Sequence, residues 1–187
     1  MATVLLPLAN GFEEVEAVSL IDVLRRGGVG VRIAHVDGDK NSLLLGANGI
    51  TIQADTSIKN VIEEDFDMIL LAGGWENTYT LADNETVQKL LKEFQAKEKI
   101  IGSICAAAYA LKRANVLGND YTCYPAAADE VDHQGYREDK MVVTDGNIMT
   151  SRGPGTALCF GLEILKRLVG EESYQAVKEG MLLDFCK

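Results

Sequence analysis

The sequence has 187 residues, of which 47% are hydrophobic, and its 18 basic and 28 acidic side chains give a formal net charge of −10. This length and composition predict one globular domain over residues 1–187, and the short apolar runs, interrupted by charges, predict no membrane-spanning segment. The acidic balance lacks the basic footprint that nucleic-acid binding requires.

The start of the chain and its cysteines indicate the compartment. The stretch MATVLLPLANGFEE has no basic beginning and soon turns acidic, unlike a signal peptide. The four cysteines, Cys105, Cys123, Cys159 and Cys186, have no CxxC spacing. We therefore expect reduced thiols in the cytoplasm, with neither a disulfide nor a zinc site, and no metal or cofactor.

Apolar runs and helical periodicity alternate along the chain. The predicted strands are 3–9, 29–36, 49–53, 66–72, 99–104, 141–145 and 147–151, with a weaker one at 121–124. The predicted helices are 13–26, 84–97, 106–114, 153–169 and 171–182, joined by a turn over 37–42 and a loop-rich segment over 115–140. In the first helix, the hydrophobic positions expected to recur on one face are Val15, Val18, Leu20, Ile21 and Leu24. The alternation, with strands apolar on both faces, predicts an α/β sandwich with a mostly parallel sheet between two helical layers.

Cys105 lies where the strand over 99–104 gives way to a helix. A sharp strand-to-helix turn exposes its side chain, as in a nucleophile elbow, and the helix dipole favours a thiolate. Cysteine is also a common buried packing residue, so position alone leaves chemistry and packing equally supported.

Two other strand or helix ends carry candidates for the same site, since ligands of such sheets bind at the carboxyl ends of the strands. Gly73-Gly74 follows the strand over 66–72, and glycines at such a place let backbone amides approach a ligand. Together with the Ala106 amide, the amides of Gly73 and Gly74 would form an oxyanion hole. An ordinary turn is the simpler interpretation of the two glycines. Glu16, beside Val15 and Val18, is expected to be partly buried and protonated, whereas Glu13 and Glu14 suit ordinary caps and dipole partners.

The chain has two histidines, and neither adjoins Cys105 in sequence. His35 ends a strand and is interpreted as structural, and His133 in the acidic loop DEVDHQ is interpreted as solvated. A thiol assisted by a carboxyl is therefore a simpler hypothesis than a Cys–His dyad.

Four motifs in register, NGFEEVEAV, AGG at 72–74, IIGSICAAA and TSRGPGT at 150–156, resemble the DJ-1/ThiJ/PfpI superfamily, within its DJ-1 branch. The resemblance covers essentially the whole chain and implies a flavodoxin-like three-layer sandwich and a homodimer. It also implies that Cys105 is the reactive, oxidation-sensitive cysteine and that Glu16 is its buried partner. Gly74 and Ala106, with Gly73 beside them, match the amides around the sulfur.

The remaining candidates are expected to form the pocket wall. Tyr124 and Trp75 follow strand ends near the site, although Trp75 equally suits surface packing. Thr150, Ser151 and Arg152 precede Pro154 and Gly155, which we interpret as a helix start.

Three positions depart from the family's pattern. Tyr124 stands where DJ-1 proteins commonly carry a histidine before the proline, and a tyrosine is a poor base near neutral pH. Ala106 stands where the PfpI peptidase branch has a histidine, so protease activity is not expected. Ala108 replaces a usual proline.

The resemblance implies a cysteine enzyme, a deglycase or glutathione-independent glyoxalase, acting on a small α-oxoaldehyde or a glycated adduct. The alternative is a redox sensor or stress-protective chaperone in which Cys105 becomes a sulfinic acid. A purely structural flavodoxin-like protein ranks third, because no phosphate-binding sequence for a flavin is evident.

Overall fold

A mixed sheet of seven strands forms the centre of the computed structural model, which describes residues 1–36 and 42–186. The strands in these ranges are β1 (Thr3–Leu8), β2 (Gly30–His35), β3 (Leu43–Leu45), β4 (Thr51–Gln53), β5 (Thr56–Ser57), β6 (Met68–Leu71), β7 (Ile100–Ile104), β8 (Val142–Asp145) and β9 (Ile148–Ser151). The sheet order is β5-β2-β1-β6-β7-β9-β8, with β8 antiparallel to β9 and the other neighbours parallel. Strands β3 and β4 form a separate antiparallel hairpin.

Helices cover both faces of the sheet. They are α1 (Glu14–Arg26), α2 (Trp75–Asp83), α3 (Glu85–Ala96), α4 (Ala108–Arg113), α5 (Ala128–Val131), α6 (Ala157–Val169) and α7 (Glu171–Gly180). Short 3₁₀ turns lie at Ile58–Asn60, Glu63–Asp65, Cys105–Ala107, Pro125–Ala127 and Pro154–Thr156. None of the helices in the described ranges is both long and apolar enough to cross a membrane.

The two cores follow from the alternation of side chains along each strand. On β1, Leu6 belongs to the core with Leu20 of α1 and Phe160 of α6. The neighbouring Leu5 belongs to the opposite core, with Phe94 of α3. This confirms the predicted α/β sandwich, and the sheet order reverses direction at β1, so ligands are expected at the carboxyl ends of β1 and β6.

Two local predictions differ from the structure. Residues 121–124 form no regular strand, because their backbone pairing is limited to one isolated bridge between Tyr121 and Tyr136. Helix α2 was not predicted, since its sequence WENTYTLAD contains several residues of low helix propensity; burial of Leu81 and Ala82 against the sheet stabilises it. The turn predicted over 37–42 falls mostly on residues 37–41, outside the described residues.

The first helix is rotated relative to the expected apolar face. Leu20, Ile21 and Leu24 are buried as predicted, but Val15 is 53% and Val18 46% exposed. Neighbours i and i+1 do not share a helix face, so Glu16 is buried for a different reason than its proximity to Val15.

The expectation of four reduced thiols is wrong for two cysteines. Cys159 of α6 and Cys186 form a disulfide, because the segment after α7 turns back onto α6 and brings their Cα atoms to 5.2 Å. Their sequence separation of 27 positions hid this proximity. Cys105 and Cys123 are free and buried.

Candidate active site

Cys105 occupies a strained turn at the carboxyl end of β7. Its φ of 63° lies in the left-handed region, which non-glycine residues seldom adopt and which costs about 1–3 kcal/mol. The residue starts the 3₁₀ turn that leads into α4, and its side chain is 8% exposed. The strand–turn–helix arrangement predicted around Cys105 is therefore confirmed, whereas the predicted exposure of its side chain is wrong, because the turn folds the thiol inward against neighbouring elements.

Glu16 is completely buried, on the inner face of α1. Its Oε2 accepts a hydrogen bond of 2.7 Å from the Gly73 amide, and its carboxyl group also contacts the Cys105 thiol. Its Oε1 has no hydrogen-bond partner among the described residues. A buried acid with an unused oxygen beside a thiol is suited to carry a proton.

The two acidic groups influence each other's protonation. Burial raises the pKa of Glu16 to about 7, although hydrogen bonds from Cys105 and Gly73 oppose this. Burial and the negative charge of Glu16 raise the pKa of the Cys105 thiol, while the Ala106 and Gly74 amides lower it. Burial and the Glu16 charge therefore outweigh the helix dipole, contrary to the expectation of a thiolate from sequence.

The glycines after β6 leave no room for side chains. A Cβ on Gly73 would lie 2.6 Å from both Cys105 Cβ and Glu16 Oε2. Gly74 has a φ of 88°, and a Cβ there would lie 2.1 Å from the Gly11 carbonyl oxygen. Both positions require glycine to bring the backbone against the thiol.

The amides have separate partners. Those of Gly74 and Ala106 hydrogen-bond to the Cys105 sulfur and lower the pKa of its thiol, while their part in an oxyanion hole stays a prediction. The Gly73 amide instead donates to Glu16, so its function is to orient the carboxyl group.

Asn77 is a positioning residue that was not predicted from the sequence. Its buried side chain donates to the carbonyls of Ala72 and Gly73 at 2.8 and 3.1 Å and accepts from the Ala9 amide at 2.8 Å. It thereby ties the end of β6 to the end of β1. The sequence signal for this role was an amide side chain four residues after Gly73. Recognising it required helix α2, which was not predicted.

The other two glutamates of the first turn differ from each other. Glu13 caps α1, with its Oε2 accepting from the Glu16 amide at 2.7 Å, as predicted. Glu14 is not an ordinary dipole partner, because it is buried and accepts from the Asn48 and Ile50 amides. It fixes the β3–β4 hairpin beside α1.

A shallow pocket of about 260 Å³ lies near the Glu16 carboxyl group. Tyr124 and Arg152 line it with Gly153, and a Cβ on Gly153 would lie 4.0 Å from Glu16 Oε1. The Tyr124 amide donates to the Cys105 carbonyl at 3.3 Å, which ties this loop to the turn at Cys105.

The remaining candidates lie around or behind this pocket. Thr150 and Ser151 are buried in β9, where the Thr150 hydroxyl accepts from the Thr122 amide and the Ser151 hydroxyl contacts Thr156. The hydroxyl groups of Thr150 and Ser151 thus support the Tyr124 loop from the side facing the sheet. Trp75 begins α2 directly after Gly74 and is 38% exposed.

Neither histidine makes a contact with Cys105. His35 is buried at the end of β2, in agreement with a structural role. His133 is not simply solvated, because it is half-buried, with its ring nitrogens 3.3 Å from Lys112 Nζ and 3.2 Å from the Gly118 carbonyl oxygen.

Comparisons with known proteins place this geometry in a family. The family model described as "DJ-1/PfpI family" matches residues 2–167. Protein dj-1beta of Drosophila melanogaster is 37% identical over 180 residues, covering 95% of each chain. The crystal structure of that protein superposes with a TM-score of 0.92 over 97% of each chain.

Two further relatives have informative names. The glutathione-independent glyoxalase DJ-1 of Schizosaccharomyces pombe is 29% identical over 188 residues, covering 97% of this chain and 98% of its own length. A structure titled "Toxoplasma gondii DJ-1, oxidized" has a TM-score of 0.89 at 31% identity, covering 97% of this chain and 98% of that one. The chain belongs to the DJ-1/PfpI family.

Proposed function

We propose that this protein is a cysteine enzyme that converts α-oxoaldehydes, free or as adducts on proteins and nucleotides, to hydroxy acids. The observation that carries the proposal is the Cys105 thiol in a strained turn, held between two amides and a buried carboxyl group whose pKa is raised to about 7. A general base works best with a pKa near the operating pH. The glyoxalase name of the Schizosaccharomyces pombe relative supports the same chemistry.

The first half of the proposed reaction joins the aldehyde to sulfur. Glu16 accepts the thiol proton as Cys105 Sγ attacks the aldehyde carbon of methylglyoxal. The Gly74 and Ala106 amides hold the developing oxyanion. Glu16 then returns its proton to that oxygen, which gives a neutral hemithioacetal.

The second half moves a proton between the two carbons. Glu16 removes the hydrogen of the carbon bonded to sulfur as a proton, which leaves an enediolate, and returns that proton to the neighbouring carbon. The hydroxyl proton of the first carbon passes to the neighbouring oxygen, so the first carbon is oxidised and the second is reduced. The resulting lactoyl thioester is hydrolysed by water, which regenerates the thiol and releases lactate. Methylglyoxal and water thus become lactic acid without an external oxidant.

Lactate release tests the proposal directly. Cys105→Ser should abolish lactate formation from methylglyoxal in an amine-free buffer, whereas Cys123→Ser, which removes the other free buried thiol, should retain it. A methylglyoxal adduct of N-acetylarginine offered as the substrate separates deglycase from glyoxalase activity. Lactate production equal in wild type and Cys105→Ser would overturn the enzyme proposal.

A second candidate is redox sensing through Cys105, coupled to stress protection or chaperone action. The oxidised state named for the Toxoplasma gondii structure supports it, and the amides and Glu16 offer donors to a sulfinate. Peroxide, consumed as the oxidant, should add two oxygens at Cys105 before Cys123 changes, as measured by peptide mass. Simultaneous oxidation of both cysteines contradicts this candidate.

We also propose that residues 1–187 form a single domain and that two copies of the chain assemble into a homodimer. Exposed aliphatic side chains of α1 and of the β3–β4 hairpin support the dimer, because Glu14 holds the two elements side by side. They are Val15, Val18, Leu43, Leu45 and Ile50. Sedimentation should give twice the chain mass, and Val18→Glu should shift it to the monomer.

We retain the cytoplasm as the proposed location. The Cys159–Cys186 disulfide is the observation against it, because disulfides are rare in reducing compartments. Fractionation with thiol trapping in cells tests both the location and the state of this pair.

A further inference from the structure

The Cys159–Cys186 disulfide joins the end of the chain to α6. We call residues 181–186, which follow α7, the C-terminal arm. Within the arm, all of which the structure describes, Leu183 and Cys186 are buried, at 3% and 2% exposure, and the other residues are half-buried or exposed. Burial of two side chains is a small gain against the conformational entropy lost by ordering six residues.

The backbone of the arm bonds to itself and to the end of α7. The amides of Met181, Leu182 and Leu183 donate to carbonyls of residues 177–179, and the Cys186 amide donates to the Leu183 carbonyl. In the described ranges, no side-chain hydrogen bond or ion pair joins the arm to another element. Leu182 also has a φ of 58°, a left-handed conformation that is unfavourable for a non-glycine residue. The disulfide is therefore the main tether between the arm and α6.

Helix α7 is attached to α6 independently of this bond. Tyr174 and Val177 belong to the buried core. At the start of α7, Glu171 forms an ion pair of 2.8 Å with Lys166 of α6, and the Lys166 Nζ lies 5.1 Å from the centre of the Tyr174 ring. Opening of the disulfide is therefore expected to free the arm and to leave α7 in place.

A pocket gives access to the two cysteines of the disulfide. Its volume is about 340 Å³, and Cys159 and Cys186 line it together with Glu163 of α6 and with Val142 and Thr144 of β8. In the described part of the chain, β8 is the last strand of the sheet, so no further strand covers this side. A reductant that enters the pocket meets both residues of the pair.

We propose that the Cys159–Cys186 pair is a redox-controlled latch, which a dithiol reductant opens so that the C-terminal arm detaches from α6. One thiolate of the reductant attacks a sulfur of the pair, which forms a mixed disulfide and releases the other cysteine. The second thiol then attacks the mixed disulfide, so the pair gains two electrons and two protons and the reductant becomes a disulfide. Disulfides that form in the cytoplasm are usually transient and redox-sensing, in agreement with the location proposed above.

Hydrogen exchange tests the latch on the folded full chain without any aldehyde. The oxidised protein is incubated with dithiothreitol or with buffer alone, and amide exchange is followed by mass spectrometry. Reduction should speed exchange of the Leu183 and Cys186 amides by at least about tenfold, because an arm without its covalent tether opens locally more often. The amides of Tyr174 and Val177 in α7 should change by less than about twofold.

Variants separate this pair from the other cysteines. Cys159→Ser and Cys186→Ser should each exchange like the reduced wild type, with or without dithiothreitol. Cys123→Ser, which removes a free buried thiol, is the matched control and should keep the response of the wild type. Lactate formation is not part of these measurements, so failure of the enzyme proposal leaves their outcome unchanged.

Three results would each overturn the proposal. Alkylation of all four cysteines in the oxidised protein after unfolding would show that the pair does not form. A bond that dithiothreitol reaches only after the protein unfolds would be a permanent structural link. Complete reduction with unchanged exchange of the arm would mean that burial of Leu183 is sufficient to hold it on α6.

Discussion

Glu16 and Glu63 are both almost fully buried, yet their surroundings move their pKa values in opposite directions. Glu16 lies at the carboxyl ends of the strands, and burial raises its pKa to about 7. Glu63 lies before β6, where burial alone would raise the pKa, but Lys97 and Lys99 together lower it. The partners of a buried carboxyl, more than its burial, decide whether it holds a structure together or carries a proton.

Cavity volume alone would favour the region around Glu63 over the region around Glu16 as the functional site. The cavity beside Glu63 and Lys97 has a volume of about 410 Å³, against about 260 Å³ for the shallow pocket beside Tyr124. Yet the smaller one is lined by Gly153, where a Cβ would lie 4.0 Å from Glu16 Oε1, and by Tyr124, whose amide donates to the Cys105 carbonyl. The two carboxyl groups differ in their charged neighbours, since Lys97 and Lys99 neutralise Glu63, whereas the groups that shift the pKa of Glu16 include no cation.

The largest expected effect is on catalysis. Glu16→Gln should lower kcat/KM for methylglyoxal by at least about 100-fold, because it removes a general base, and wild-type activity should rise with pH through about 7. Glu63→Gln should change kcat/KM by less than about threefold. Steady-state lactate assays across pH make the comparison, which fails if the two variants behave alike.

The second effect is on the pH dependence of stability. The folded pKa of Glu16 is raised from 4.5 to about 7, so its contribution is greatest below pH 4.5 and is lost as the pH rises to about 7. The shift corresponds to about 3 kcal/mol. Chemical denaturation of wild type and Glu16→Gln across this range should show their difference changing with that sign.

Glu63 should give the opposite slope in the same experiment. Its folded pKa is lowered from 4.5, so it stabilises the fold above pH 4.5 and loses this contribution as the pH falls further. Parallel curves for Glu16→Gln and Glu63→Gln would contradict the contrast between the two glutamates.

Removal of a lysine should affect stability without affecting the site. Lys99 contacts Glu63 and donates to the Phe66 carbonyl at 2.7 Å. Lys99→Met should therefore lower the free energy of unfolding at neutral pH by about 2 kcal/mol, with lactate formation unchanged in the folded enzyme. Lys89→Met, which removes an exposed i,i+4 pair with Glu93, is the control and should cost about 0.5 kcal/mol or less.

The smallest expected effect on stability is steric. Gly73→Ala places a methyl group against Cys105 and Glu16 and should lower the free energy of unfolding by at least about 1 kcal/mol, with loss of activity. Gly180→Ala, at the end of α7 with nothing within 4 Å of the new methyl group, should be neutral or stabilising. Equal stability of the two variants would mean that the backbone at Gly73 is less tightly packed than described.

Local sequence patterns were sufficient where one element's own chemistry decides its structure. The apolar runs of β1, β6 and β7 predict buried strands, Asp145-Gly146 predicts the β8–β9 hairpin, and the abrupt change at Cys105 predicts the turn. The same patterns missed α2, because its stability comes from Leu81 and Ala82 packing on the sheet.

The sequence by itself determined the α/β class, the succession of strands and helices, and the position of a thiol at a strand end, because hydrophobic periodicity and turn residues are local. Only the tertiary structure decided which groups meet. It placed Glu16 against Cys105, gave the Gly73 amide to Glu16, and joined Cys159 to Cys186. These contacts depend on how α1, α6 and the chain end pack around the sheet, and spacing along the chain carries no information about that packing.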